Sequence, residues 1–532
     1  MKTNFSSLNQ IQPNMDLVQI FLLSIVSLCS FSYILIKSLF IPKNKKRLPP
    51  MAAGAWPIIG HLRAFDNGQP THVTLADLSD VYGPVFMTKV GSVNTLIINN
   101  QEIAEEIYTV HDKVLNQPAV TASKLLTDIS YWGEMRKLAV SEILCPSVID
   151  MHMHIRAREV DVAFIELYRR WEQKGESQKG LLVDIGQELH DLTKNISLMT
   201  IVGKKYYGKS LNCEIQEAMR CRKLLQDCTD YMGIFLFSDF IPPLGWLEWR
   251  IKRDMKKTGS EIDEVLEAWV DEHKKKRKDS GEGFEKTFLD LLIDIFEQQK
   301  TLPLDDAHTT TKAICLNLVM SGSATTIAVL VWAVSLLVNN PHALRKAQEE
   351  LNRTTGKDRF VEESDLKDLV YLQAVIKETL RLYPPVTLVA YRDVTEAFDI
   401  ANGKFHVPAG TQLLVNAWKI HRDPSLWSNP ESFEPERFLT VNREVYISGR
   451  NYKLLPFGLG RKACPAIPLG LRMVQYILAR LLQSFDVVRP SSQEVDMTEN
   501  NGLLNLKATP LEVFITPRLR KSLYKMDRVG LD

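Results

Sequence analysis

The run Pro456-Phe457-Gly458-Leu459-Gly460-Arg461-Lys462-Ala463-Cys464-Pro465-Ala466 decides how this chain is read. A single cysteine closes a glycine-rich loop, and glycine lets backbone N–H groups approach a sulfur closely. Helical spacing resumes after Pro465. The positive end of that helix favours thiolate over thiol at Cys464. The plainer reading is a buried cysteine in an ordinary loop, the fate of most cysteines.

Further motifs lie upstream. Lys377-Glu378-Thr379-Leu380-Arg381 sets Glu378 and Arg381 on one helix face. Pro435-Glu436-Arg437-Phe438 supplies a second arginine. One carboxylate shared by two arginines makes a buried network that locks the loop holding Cys464. Taken alone, the Glu378–Arg381 pair reads as a surface ion pair. Trp132 and Arg136, four residues apart, share a face suited to an anionic group. Asp305 and Asp306 open a long helix that runs to Asn339 and stops at Asn340-Pro341. It is apolar nearly all round from Ala313 to Val338, so it belongs in the core.

The bulk properties set bounds. A length of 532 residues suggests two or three domains as a prior. Hydrophobic residues at 45% and charged residues at 24% are globular values. A formal net charge of +1 leaves no basic excess to neutralise phosphates, so nucleic acid is excluded as a partner. Seven cysteines without regular pairing argue against a disulfide framework and fit a reducing compartment. Tyr82 to Asn99 reads as a β-hairpin with Gly83 and Gly91 as turns, and Gln101 to Gln299 has helical spacing. The basic run Lys274 to Lys278 reads as a solvated helix end. The expected class is mainly α with minor β.

The N-terminal region sets an expected location. Residues 1–16 form a short tail, and residues 17–36, Leu17 to Ile36, carry no formal charge. That run is long enough to cross a bilayer as a helix. Lys37, Lys43, Lys45, Lys46 and Arg47 follow it, so the positive-inside bias puts the tail in the lumen and the bulk in the cytosol. A cleaved signal peptide fits less well, because no small-residue cleavage site follows. Residues 37–60 read as a basic, proline-rich hinge, and residues 61–532 as the cytosolic body.

Together the cysteine loop, Glu378-x-x-Arg381 and Pro435-Glu436-Arg437-Phe438 resemble the cytochrome P450 superfamily over nearly the whole chain. Lys377 to Pro385 and Trp418-Lys419-Ile420-His421-Arg422-Asp423-Pro424 look like the plant A-type clade of nicotine N-demethylases, tropinone synthase and terpenoid and flavonoid hydroxylases. The resemblance implies the cytochrome P450 fold and haem b. It makes Cys464 the axial iron ligand, whose electron donation promotes O–O cleavage. It places Trp132, Arg136, Lys462, Phe457, Gly458 and Arg392 on the haem, with Glu378, Arg381 and Arg437 as the structural network. It also implies O2 activation with electrons from NADPH through a membrane-bound NADPH–cytochrome P450 reductase, at the endoplasmic reticulum. Lys137, Lys453, Arg461 and Lys462 are candidates for the face that meets this acidic partner; solvated lysines and propionate ligands account for them equally well.

Departures from the family pattern matter as much. In Ser321-Gly322-Ser323-Ala324-Thr325-Thr326, Ala324 stands where relatives carry an acid, while Thr325 is kept. Proton delivery then falls to water, to Ser323 or to a group on the substrate, with Thr325 and Ser323 as the catalytic candidates. Lys462 replaces a usual arginine and loses its bidentate fork. Ala466 replaces a usual glycine, Gln117 a usual arginine, and Tyr391 a common proline. The stretch from Pro118 to Trp132 looks shorter than in relatives by roughly ten residues, a size of deletion tolerated mainly at surfaces. The resemblance implies a substrate pocket built from Val319, Val386, Leu388, Val389 and Leu504, hence a small lipophilic plant metabolite: terpenoid, alkaloid or phenolic. The leading expectation is a monooxygenase. A haem-thiolate isomerase or dehydratase independent of O2, and a weakly active haem-binding protein, are the alternatives that loss of the acid keeps open.

Overall fold

The computed structural model describes residues 47–116, 136–175, 180–208, 211–234, 236–280, 285–299 and 304–525. Trp132, Gln117, the 118–132 stretch and the apolar N-terminal run lie outside them. The chain divides into two units, Met1–Leu48 and Pro49–Asp532, and the second carries the fold.

Its longer helices are α1 Thr71–Tyr82, α2 Gln101–Val110, α3 Met153–Lys174, α4 Ile185–Val202, α5 Ile215–Met232, α6 Trp249–Ser280, α7 Phe288–Gln299, α8 Leu304–Asn339, α9 Pro341–Thr355, α10 Val370–Leu382 and α11 Ile467–Ser484. The strands are β1 Val85–Val90, β2 Val93–Ile98, β3 Leu115–Asn116, β4 Leu181–Asp184, β5 Leu388–Val394, β6 Phe398–Ile400, β7 Phe405–Val407, β8 Gln412–Asn416, β9 Phe485–Val488 and β10 Glu512–Pro517. They form a five-stranded sheet in the order β1-β2-β8-β5-β3, a three-stranded sheet β4-β10-β9, and the hairpin β6-β7. The fold is therefore mainly α with small sheets.

The long apolar helix is present as α8. It packs along α4 and against α10 and α11, where Leu330, Trp332, Ala333 and Leu337 are fully buried. From Ala307 to Asn339 it is long and apolar enough to cross a membrane. In this fold it is a core helix, because neighbouring helices cover its apolar surface. The expected hairpin is β1–β2, paired from Val85↔Ile98 to Val90↔Val93. Gly91 turns it at a positive φ of 58°, where a Cβ would strike the Phe240 carbonyl oxygen at 2.4 Å.

The proline-rich segment expected as a stiff hinge is hydrogen-bonded to β1 from Pro50 onward. Met87 N–H donates to Pro50 O at 2.7 Å, and Ala52 N–H donates to Met87 O at 2.9 Å. His61 closes the segment from inside: Lys89 N–H donates to its Nδ1, and its Nε2 meets Ala52 O, both at 2.9 Å. The sequence pattern could not show this, because the partners come from a strand some thirty residues on and are backbone groups.

Candidate functional site

The end of α10 and the loop before α11 are tied by one buried network. Glu378 is fully buried and takes both prongs of Arg381, Nε and Nη2, at 2.8 Å each. Arg437 Nε and Glu434 N–H donate to the same carboxylate at 3.0 Å each. Arg381 Nη1 donates to His421 O at 2.8 Å and Pro430 O at 2.6 Å. Charge-assisted bonds that use both carboxylate oxygens are the condition under which a buried carboxylate is tolerated.

His421 extends the network to the cysteine loop. Leu455 N–H donates to its Nε2 at 2.7 Å, which fixes the proton on Nδ1, 3.0 Å from Arg381 O. Complete burial, with Arg381 and Arg422 nearby, pulls the imidazole pKa down to about 3, so this histidine stays neutral. Sequence reading quoted His421 only within a motif. Its signal, a histidine beside arginine on a buried segment, does not by itself point to a backbone acceptor.

Beyond Leu455 the chain enters the loop. Cys464 N–H donates to Phe457 O at 2.8 Å, which closes the loop on itself. Gly458 and Gly460 adopt positive φ values of 76° and 65°, and a Cβ on Gly460 would lie 2.8 Å from Tyr108 Cδ1. The Cys464 sulfur sits just ahead of α11 and accepts the Ala466 N–H. Sequence reading expected the helix end to favour thiolate. Burial outweighs it and raises the thiol pKa, with the Ala466 N–H and then Arg136 pulling the other way. A metal bound at the sulfur reverses that balance, because a coordinating thiol is deprotonated outright.

Cys464 faces a cavity of about 390 Å³ between the loop, α4, α8 and α11. Four cations border it, of which Arg156 is paired with Glu363 through Nε at 2.5 Å and Nη2 at 2.8 Å. Arg136 reaches back to the Ala463 carbonyl. Lys462 has a lowered pKa through burial and through Arg392, Arg461 and Arg136. Arg392 is buried, its Nη1 bonded to Tyr391 O at 2.7 Å and its Nε without a partner among the described residues. A β-bulge between Val389 and Arg392, with Ala390 at a φ of 60°, turns Arg392 inward. Among the described residues no carboxylate borders the cavity. On the opposite side α8 presents Gly322, where a Cβ would meet nothing within 4 Å, and Thr325.

These features fit haem b. Among the described residues no group of three or more His, Cys, Asp or Glu could hold a metal ion. The unpartnered Arg392 Nε and the crowded cations suit two propionates, and the open space at Gly322 suits a flat ring. A cysteine facing a cation-lined cavity between a core helix and a glycine loop is the arrangement of a haem-thiolate protein.

The comparisons agree. The cytochrome P450 family profile matches residues 49–513. The chain is 43% identical to demethylepipodophyllotoxin synthase of Sinopodophyllum hexandrum, over 90% of this chain and 93% of that protein. It is 41% identical to a xanthotoxin 5-hydroxylase of Arabidopsis thaliana, over 91% and 95%. It is 39% identical to strychnine-10-hydroxylase of Strychnos nux-vomica, over 94% and 97%. The chain belongs to the cytochrome P450 family, as an oxidoreductase of the monooxygenase kind. Membership brings haem b, O2, a lipophilic substrate and a reductase that passes on electrons from NADPH.

The structure brings some predicted residues together and not others. Cys464, Phe457, Lys462, Arg136, Arg392 and Thr325 border the cavity. Gly458 shapes the loop without bordering it. Ser323 is fully buried on the far side of α8, with its hydroxyl bonded to Val319 O at 2.8 Å. Two residues along a helix is a rotation of about 200°, so Ser323 cannot share a face with Ser321 or Thr325. Val319, four residues earlier, points the same way into a core beneath α8. Val386 and Val389 pack into the sheet core, Leu388 packs under β1 and β2, and Leu504 is half-buried; none of the four borders the cavity. Sequence reading passed over Asn317 and, on α4, Ser197 and Thr200, which do border it. Their signal would have been a polar stripe at helical spacing in an apolar helix.

Proposed function

We propose that this protein hydroxylates, or otherwise oxidises, a small lipophilic plant specialised metabolite. The stoichiometry is RH + O2 + NADPH + H⁺ → ROH + H2O + NADP⁺. One observation carries the reading: Cys464, the cations Arg136, Arg392 and Lys462, and the Gly322–Thr325 turn of α8 border one largely apolar cavity. Haem bound there supplies the reductive activation of O2. Cys464 holds the iron. Arg392, Arg136 and Lys462 hold the propionates. The Glu378 network keeps the loop in place, and Thr325, its Oγ1 bonded to Ser321 O at 2.8 Å, offers its lone pairs to accept a hydrogen bond beside Gly322. Apolar walls at Ile314, Leu318 and Ala139 select a lipophilic substrate by shape. The relatives' names, a xanthotoxin and a strychnine hydroxylase among them, point to fused-ring aromatic compounds. Residues 17–36 act as a retained anchor in the endoplasmic reticulum, with the body in the cytosol beside the reductase.

The test is expression in microsomes with a plant cytochrome P450 reductase, with xanthotoxin, a flavonoid and strychnine as probes alongside a plant extract. Oxygenated product that requires NADPH is expected. Product formed without NADPH would replace this reading with an isomerase or dehydratase. NADPH oxidation that gives no product with any compound would leave a haem protein without this activity.

A further inference from the structure

We propose that the seam between α4 and α8 holds a chain of internal waters that delivers protons to Thr325, in place of the carboxylate missing at Ala324. Four polar side chains border the cavity along this seam: Ser197 and Thr200 on α4, Asn317 and Ser321 on α8. Asn317, Ser321 and Thr325 follow one another at four-residue intervals, so they form one stripe down the helix. Ser197 and Thr200, three apart, form the facing stripe.

None of the four side chains has a hydrogen-bond partner among the described residues. That is unusual for hydroxyls in helices, which commonly bond to the carbonyl four residues back. Ser323, Thr325 and Thr326 each do so at 2.8 Å, whereas Ser321 does not. Ser197 and Thr200 are 7% and 5% exposed. Asn317 is half-buried and Ser321 is open, so these side chains reach the space of the cavity, and internal water is the usual partner where several polar groups converge on one. The surrounding wall of Ile196, Ile201, Ile314 and Leu318 offers no other partner.

The cavity's charges point the same way. Its titratable groups are Arg136, Arg156, Arg392, Lys462 and Cys464. An arginine does not release a proton, and Lys462 is placed to bind a propionate. Ser323 faces away. Water relayed by hydroxyls and an amide is what remains. Each proton that arrives hops along the chain as the next one enters, so no side chain is consumed. Ser321, one turn before Thr325, is the link the relay cannot do without.

The inference rests on the monooxygenase reading, and its test separates the two. In the crystal structure of the haem-loaded protein, ordered waters are expected to bridge Ser197, Thr200, Asn317 and Ser321, and to thin out in Ser321→Ala. Under xenon pressure the seam is expected to exclude the gas, whereas a xenon atom seated there would show it dry and overturn the proposal. On the panel compound turned over fastest, Ser321→Ala is expected to lower product per NADPH about tenfold, with peroxide rising to match, less than the roughly hundredfold or more of a lost general acid because water partly takes the place of the hydroxyl. Its reduced carbon-monoxide spectrum should be unchanged. Ser321→Thr should keep the coupling, and Ala324→Asp added to Ser321→Ala should restore it. Wild-type coupling in Ser321→Ala would sink the relay while leaving the monooxygenase intact. If no compound is turned over, the waters and the xenon still decide.

Discussion

The two sides of the cavity are built on opposite terms. On the cysteine side the groups that hold the loop are matched. Glu378 accepts from two arginines and a backbone N–H, His421 uses both ring nitrogens, and Cys464 is bonded through its own N–H and its sulfur. On the α4–α8 side, Ser197, Thr200, Asn317 and Ser321 face the space without a side-chain partner among the described residues. The first arrangement holds one geometry, because any displacement breaks several charge-assisted bonds at once. The second leaves capacity for molecules that come and go. Iron requires a fixed ligand, and protons and substrate require a passage. One cavity serves both because its walls differ.

Changes on the matched side should therefore cost more than changes on the open side. Cys464→Ser is expected to abolish the red-shifted Soret band of the reduced carbon-monoxide complex; a variant that keeps the band would remove the basis of the comparison. Glu378→Gln leaves Arg381 and Arg437 buried against a neutral amide. It should lower stability by about 3–5 kcal/mol, read as a shift in the denaturation midpoint. Arg392→Leu removes the cation whose Nε lacks a protein partner. The loss of a charged hydrogen bond, about 1.5–3 kcal/mol, should speed haem transfer to apomyoglobin some tenfold or more. Unchanged transfer would mean that the propionates lie elsewhere.

His421 gives a pH-dependent test of the matched side. The folded protein keeps this histidine neutral down to about pH 3. The unfolded chain takes up a proton near its ordinary value of about 6.5. Between the two the unfolded state binds more protons, so the contribution is intact above the upper value and is lost as pH falls toward the lower one. Denaturation midpoints measured across that window should slope by up to about 1.4 kcal/mol per pH unit, and His421→Gln should flatten that slope. The smallest effect belongs to Ser323→Ala. Its hydroxyl is spent on Val319 O, so coupling should stay within about twofold of wild type, against the larger loss expected at Thr325. Equal losses at both positions would return Ser323 to the proton path.

Sequence spacing made much of this legible. The alternation of Val85 to Ile98, the apolar length of α8 and the Glu378–Arg381 pair are local patterns, and local patterns report faces of helices and strands. The misjudgements share a cause. Ser323 and Val319 sit in the same motif as Thr325, yet rotation about the helix sends them to the other side. The family resemblance puts Val389 in the pocket, yet the bulge that turns Arg392 inward leaves Val389 in the sheet core. Ser197 and Thr200 drew no notice because nothing near them in sequence says that α4 lies along α8.

From the order of residues alone came the thiolate loop, the acid shared by two arginines, the apolar core helix and the loss of the acid at Ala324. Each is written within a few neighbouring residues or in one recurring motif. Tertiary structure decided that burial outweighs the helix end at Cys464, that His421 joins α10 to the loop, and that four unpartnered polar groups meet across a seam. Those outcomes depend on desolvation and on distances between segments far apart in the chain, and both exist only once the chain has folded.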